Sequence, residues 1–255
     1  MRRKHSLALV ATIATMASIV VGGAAQAAFP NFSDCPTSIP AVRGCIDIQS
    51  VSGSLEIKGF TVPLGDSLEI RGGLDNSVRP AIFYPPTGTN GFFSRSIRIP
   101  GGLLGLELPI PGNTVLGTAQ LAGPASAIRM EIEFGTTTVS LPVKVKLDNP
   151  LLGSSCYIGT NSNPVRVNLT TGTTSPPPPN RPISGRLGEL AFDETTGALI
   201  LRDTVNVDNA FAIPGASGCG LLGILNPVVN LKLGLPSAAG NNAMIVRNDV
   251  GLREA

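Results

Sequence analysis

The chain has 255 residues, 42% of them hydrophobic and only 4% aromatic, with 19 basic and 17 acidic side chains, one histidine and no tryptophan. Scattered charges in near balance lack the clustered lysine and arginine that displace counterions from a phosphate backbone, which excludes nucleic acid as a partner. Thirty glycines and 22 prolines exclude an architecture of long helices.

The first residues read as a secretory leader. Arg2, Arg3, Lys4 and His5 make a cationic head, and Leu7 to Val21 form an apolar run interrupted only by Thr12, Thr15 and Ser18. Ala25-Gln26-Ala27 supplies the small residues a signal peptidase reads, so residues 1–27 are expected to be removed, leaving 28–255 as one β-rich domain. No lipobox cysteine follows the run, and Val246 to Ala255 carries no apolar tail. The expected localisation is therefore secreted or cell-envelope associated.

Cleavage changes the chemistry. It takes away His5, the only histidine, and three of the 19 basic residues, leaving 16 against 17 acidic ones. Without imidazole, Ser-His-Asp and Cys-His mechanisms fall away, as do most transition-metal sites. No catalytic or cofactor-binding residue is assigned.

The four cysteines all lie in the retained part, and an even count in an exported chain reads as disulfides. Three connectivities are open. The favoured pairs are Cys35–Cys45, which closes a short N-terminal loop, and Cys156–Cys219, which joins two Gly- and Leu-rich turns. The second pair would span Ser175 to Pro182, a proline-rich stretch expected to be an extended, exposed, stiff connector.

In between, strand signals dominate. Leu55–Lys58, Ser67–Arg71, Ile128–Phe134 and Val143–Leu147 alternate apolar with polar residues, the period of a strand with one face buried. Leu187–Phe192 and Ala198–Val207, joined by Asp193-Glu194-Thr195-Thr196-Gly197, predict a β-hairpin. About a dozen short strands are expected in an all-β antiparallel sandwich, jelly-roll-like fold or barrel. One short helix is predicted near Asn226-Pro227-Val228-Val229, with Asn226 as cap and Pro227 in the first turn.

Few residues carry candidate chemistry. Asp203, Asn206 and Asp208 space oxygen ligands along a strand end and form a calcium candidate, although the glycine and terminal glutamate of a dedicated calcium loop are missing. Glu131/Glu133 and Asp193/Glu194 are the close carboxylate pairs a glycosidase would need. Gly218-Cys219-Gly220-Leu221-Leu222-Gly223 matches G-x-G-x-x-G, but no strand signal precedes it, so it reads as a glycine-rich turn around a cystine and not as a nucleotide site.

Three apolar turns are more distinctive: Pro100 to Leu106 with Leu103 and Leu104, Pro150 to Gly153 with Leu151 and Leu152, and Gly220 to Leu225 with Leu221 and Leu222. Turns are normally polar, so these leucines either plug the ends of the fold or contact lipid or another protein.

The leader, Asp34-Cys35-Pro36, Pro100-Gly101-Gly102-Leu103-Leu104-Gly105, Asp208 to Gly220 and Leu235 to Gly240 together resemble uncharacterised secreted proteins of actinobacteria. The resemblance implies export and a bacterial envelope setting. No activity is assigned to that group, so it implies no functional residue.

Three functions follow in order of expectation. The first is a non-enzymatic surface-acting protein, with an envelope lipid or another surface protein as partner. The second is a carrier of a hydrophobic envelope molecule. The third is a carboxylate hydrolase. A continuous apolar cavity would favour the carrier, a solid core with exposed apolar loops would favour surface contact, and a cleft with two carboxylates about 5–10 Å apart would favour the hydrolase.

Overall fold

A computed structural model describes residues 29–255 apart from Phe134; the leader and its cleavage site lie outside the described residues. The strands are β1 (Gly44–Ile57), β2 (Phe60–Pro63), β3 (Leu68–Asp75), β4 (Ala81–Tyr84), β5 (Phe92–Ser94), β6 (Ile97–Arg98), β7 (Leu116–Leu121), β8 (Arg129–Glu133), β9 (Thr136–Asp148), β10 (Tyr157–Ile158), β11 (Val165–Thr170), β12 (Glu189–Asp193), β13 (Ala198–Asp208), β14 (Ala216–Ser217) and β15 (Asn242–Glu254). One α-helix, α1 (Asn226–Leu233), precedes β15. The protein is all-β and antiparallel, as the alternation predicts.

The pairings close on themselves. β1 pairs with β3, β3 with β4, β4 with β8, β8 with β9, β9 with β11, β11 with β13, β13 with β15, and β15 again with β1. The ring is a barrel of eight strands, a size whose interior side chains can just fill or that can hold one small ligand. Its backbone is four strands longer than the expected short ones: β1 with 14 residues, β9 and β15 with 13 and β13 with 11. Such strands must coil, and both neighbours of β15 bulge where they meet it, β1 between Ser50 and Ser52 and β13 between Leu201 and Thr204.

Alternation decides which side chains face in. Val139, Leu141, Val143, Val145 and Leu147 of β9 point inward, as do Met244, Val246, Val250 and Leu252 of β15. Lys144 and Lys146 stand on the opposite face of β9, and exposed Arg166, Arg202 and Arg247 belong to the outer wall of β11, β13 and β15. The same outer face also exposes apolar side chains, Leu190, Phe192 and Leu199 among them. Among the described residues no helix is long and apolar enough to cross a membrane.

Two cystines fix the periphery, in the favoured pairing. Cys35–Cys45 ties the N-terminal strap, residues 29–43, to β1, where Phe32, Cys45, Ala198 and Ile200 bury a small core outside the barrel. Cys156–Cys219 joins the turn before β10 to the turn after β14. The expected β12–β13 hairpin is present, with Asp193 opposite Ala198.

One local expectation gains detail and one needs correction. Residues 175–182 are largely exposed, as expected of the proline-rich stretch. They form a loop closed at its base by Thr174 and Ile183, and Asn180 Nδ2 pins it by donating to the carbonyls of Asn209 and Asn242 at 2.9 and 2.8 Å. Asn226 does not cap α1, whose N-cap is Leu225. Its Oδ1 instead accepts the Cys219 amide at 2.8 Å, so the side chain secures the cystine turn while Pro227 occupies the first turn of the helix as expected.

Candidate functional site: an apolar chamber inside the barrel

The inward side chains do not fill the ring. Between them lies a cavity of about 240 Å³, walled by Ile46, Ile70, Leu141, Val167, Val246 and their neighbours. Close-packed interiors keep few voids larger than a water molecule, and unfilled core volume costs on the order of 24 cal/mol per Å³. The cavity is larger than the ~150 Å³ apolar void known to stay dry and bind benzene. A small residue leaves room: Ala119 of β7 lines the chamber where a larger side chain would close it, while Gly117 lets Ile99 pack close against the strand.

The wall between β3 and β9 is built in two parts. β3 pairs with β4 at its C-terminal end and with β5 at its N-terminal end, while β9 holds β8 along one half and β7 along the other. The wall therefore divides into two strips, β4–β8 and β5–β7. The second strip is held by a 3.3 Å bond from the Ala119 amide to Ser94 Oγ and by a 2.7 Å contact between the Ser96 and Thr118 hydroxyls. Exposed Glu131 and Ile132 line the chamber on the first strip, opposite Thr138 and Thr137 of β9, and mark its mouth; exposed Arg95 also lines it, but on the second strip, beyond the N-terminal end of β3.

The opposite end is closed. Phe211, Ile213 and Leu233 cap the chamber from the segment leading to and including α1. Beyond them is a second void of about 20 Å³ lined by Leu103, Leu152 and Val229, and Ile99, Leu147 and Leu233 border both spaces.

Above that partition the three apolar turns converge. The Gly220 amide donates to the Leu152 carbonyl at 2.7 Å, and the Cys156–Cys219 cystine joins the same two segments. The turns both plug and project. Leu152 is 1% exposed and Leu103 is half-buried, whereas Leu104, Leu151, Leu221 and Leu222 point outward, Leu222 with 99% of its surface free. Ile224 and Leu231 join them to make an apolar crown, with Lys232 as the sole charged residue between Pro150 and Gly153 or Gly218 and Gly234.

The calcium candidate does not assemble. Asp203, at the β13 bulge, pairs outside the barrel with Arg186 and Arg247, and these contacts hold its carboxyl below the usual range. Asn206 faces the chamber. Asp208 is buried at the β11–β13 seam, where its carboxylate accepts the Asn168 and Ala210 amides at 2.6 and 2.9 Å. Burial pushes its carboxyl up from the ordinary range, against those two bonds. Three residues with three different jobs share no coordination sphere.

The carboxylate pairs are also placed. Asp193 shapes the hairpin tip by accepting the Thr195 amide at 3.0 Å and the Thr196 hydroxyl at 2.6 Å. Glu131 stands at the chamber mouth, and Glu133 lies exposed further along β8.

Sequence reading missed Asn248, Asn206 and Thr204 as chamber residues. A signal existed: Met244, Val246, Val250 and Leu252 keep an apolar period of two that only Asn248 interrupts. No family model, no curated protein and no solved structure matches the chain.

Proposed function

We propose that this protein is an exported, non-enzymatic carrier that holds a small apolar molecule inside its barrel. The observation that carries the reading is the chamber of about 240 Å³, lined almost wholly by aliphatic side chains. A well-formed apolar cavity with a few convergent polar groups is the usual form of a small-molecule site. Export rests on the leader-like first 27 residues and on two cystines, which persist in oxidising compartments.

The crown favours an accompanying reading, in which the carrier meets a lipid surface. Leucines protruding from separate turns suit a fluid hydrocarbon layer, which needs no complementary shape, and they lie across the partition from the chamber.

The test is equilibrium binding of a polarity-sensitive naphthalene dye, which the absence of tryptophan leaves free of background. Saturable one-to-one binding that is lost in Ala119→Phe, a variant that fills the chamber, supports the carrier. Dye binding unchanged by that substitution, or none at all in the disulfide-bonded protein, overturns it.

A further inference from the structure

The chamber is not uniformly apolar. Thr204 and Asn248 stand directly opposite each other on β13 and β15, and Asn206 is two residues along on the same inward row. All three are buried, at 2%, 6% and 5% exposure. A polar residue facing into an aliphatic core is tolerated when its hydrogen-bonding groups are satisfied, and these are only partly so. Asn248 Nδ2 donates to Asn206 Oδ1 at 2.9 Å, and Asn206 Nδ2 reaches the Leu169 carbonyl at the limit of a hydrogen bond, 3.5 Å. Thr204 Oγ1 accepts the Gly188 amide at 3.2 Å. Among the described residues, nothing donates to Asn248 Oδ1 and nothing accepts the Thr204 hydroxyl proton.

The bulges put these groups there. An extra residue in β13 before Thr204 reverses which side of the strand faces in, so Leu201 lines the chamber from one side of the bulge and Thr204 and Asn206 from the other. Asp203, held at a φ of 61°, turns its carboxylate outward onto Arg247 in the same step. The polar trio and the outward ion pair are therefore two faces of one backbone irregularity.

We infer that the chamber selects an uncharged amphipath, an aliphatic or alicyclic molecule with one hydroxyl head, whose O–H donates to Asn248 Oδ1 while its oxygen accepts from Thr204. This inference rests on the carrier reading and narrows its cargo. A carboxylate or ammonium head is disfavoured at that depth because the ionised residues nearest the trio are already paired with one another, Asp203 with Arg247, Asp249 with Arg202 and Glu69 with Arg71, and none is free to repay its desolvation. A pure hydrocarbon fits the walls and leaves Asn248 Oδ1 and the Thr204 hydroxyl unpaired.

The experiment is displacement of the naphthalene dye by three ligands of similar length: 1-nonanol, methyl octyl ether and nonanoate. Nonanol is expected to bind about 10-fold tighter than the ether, which cannot donate, the effect of one hydrogen bond worth about 1.4 kcal/mol. Nonanoate is expected to be at least about 100-fold weaker than nonanol at neutral pH. Asn248→Leu should abolish the preference for nonanol over the ether. Because that variant strands Asn206, Asn206→Leu/Asn248→Leu, which removes both amides together, provides a second route to the same comparison. Equal affinities for nonanol and the ether, or a preference that survives in both variants, overturns the inference with the carrier intact. Failure of all three ligands and the dye to bind overturns the carrier itself.

Discussion

Asp208 of β13 reaches across to accept the backbone amide of Asn168 in β11 at 2.6 Å, at the place where the ring is closed by a single ladder pair, Thr170 with Val207. Every other junction of the ring has at least two such pairs. The carboxylate therefore does the work of missing backbone bonds. Asp208→Ala leaves the Asn168 and Ala210 amides without this partner and is expected to destabilise the protein by about 2–3 kcal/mol, in the range for hydrogen bonds to a charged group. Urea unfolding with cystines intact measures it. Added calcium should not change the wild-type midpoint, since Asp203, Asn206 and Asp208 point to different places.

Asp47 gives the stability a pH dependence. Its side chain is fully buried under the N-terminal strap, where it accepts the Asn31 amide at 2.7 Å and Gln49 Nε2 at 3.0 Å, while Oδ1 has no partner. Burial, aided by the charge of Glu69, pushes its carboxyl up to about 6 from an ordinary 3.8, against the opposing Asn31 bond. The folded state thus holds this proton more tightly than the unfolded one. The stabilisation is fully present below about pH 4 and is lost as pH rises through 6, an effect of about 3 kcal/mol at most. Asp47→Asn keeps an acceptor for Asn31 and carries no charge. Its stability should fall less steeply than wild type's between pH 4 and 7, the remaining slope belonging to Asp208, and exceed wild type at pH 7.5, as read from denaturation midpoints across that range.

The crown should bind lipid without affecting the fold. Leu221, Leu222 and Leu231 are 83%, 99% and 86% exposed, so their replacement by serine removes little buried surface. Each leucine inserted into hydrocarbon contributes roughly 1.5–3 kcal/mol. The triple serine variant is expected to lose co-sedimentation with zwitterionic phosphatidylcholine vesicles by at least about 100-fold while its thermal midpoint stays within a degree or two. Equal sedimentation of the two proteins would assign the crown no lipid contact.

Local pattern reaches a definite distance into this structure. The alternation of Val143 to Leu147 and the turn at Asp193 to Gly197 specify strands and a hairpin because their physics lies within a few neighbouring residues. The cystines were legible for a similar reason, since the Gly- and Leu-rich surroundings of Cys156 and Cys219 already matched. Ring closure is different: β1 pairs Gly44 with Glu254, at the far end of the chain, and no local period announces such a partner. The chamber depends on that closure and on residues as plain as Ala119. The crown was half legible. Apolar turns drew attention, but whether Leu152 or Leu151 faces inward is settled by the Gly220–Leu152 bond, which spans 68 positions of sequence and is formed only in the folded protein. Asn248 was legible only once β15 was known to be a strand.

Native mass spectrometry of the disulfide-bonded protein, mixed with an excess of 1-nonanol and sprayed under gentle conditions, tests the carrier most directly. The expected spectrum contains a one-to-one complex that Ala119→Phe does not form. A bare mass for the wild-type chain at every alcohol concentration, or the same adduct on both proteins, would contradict the account.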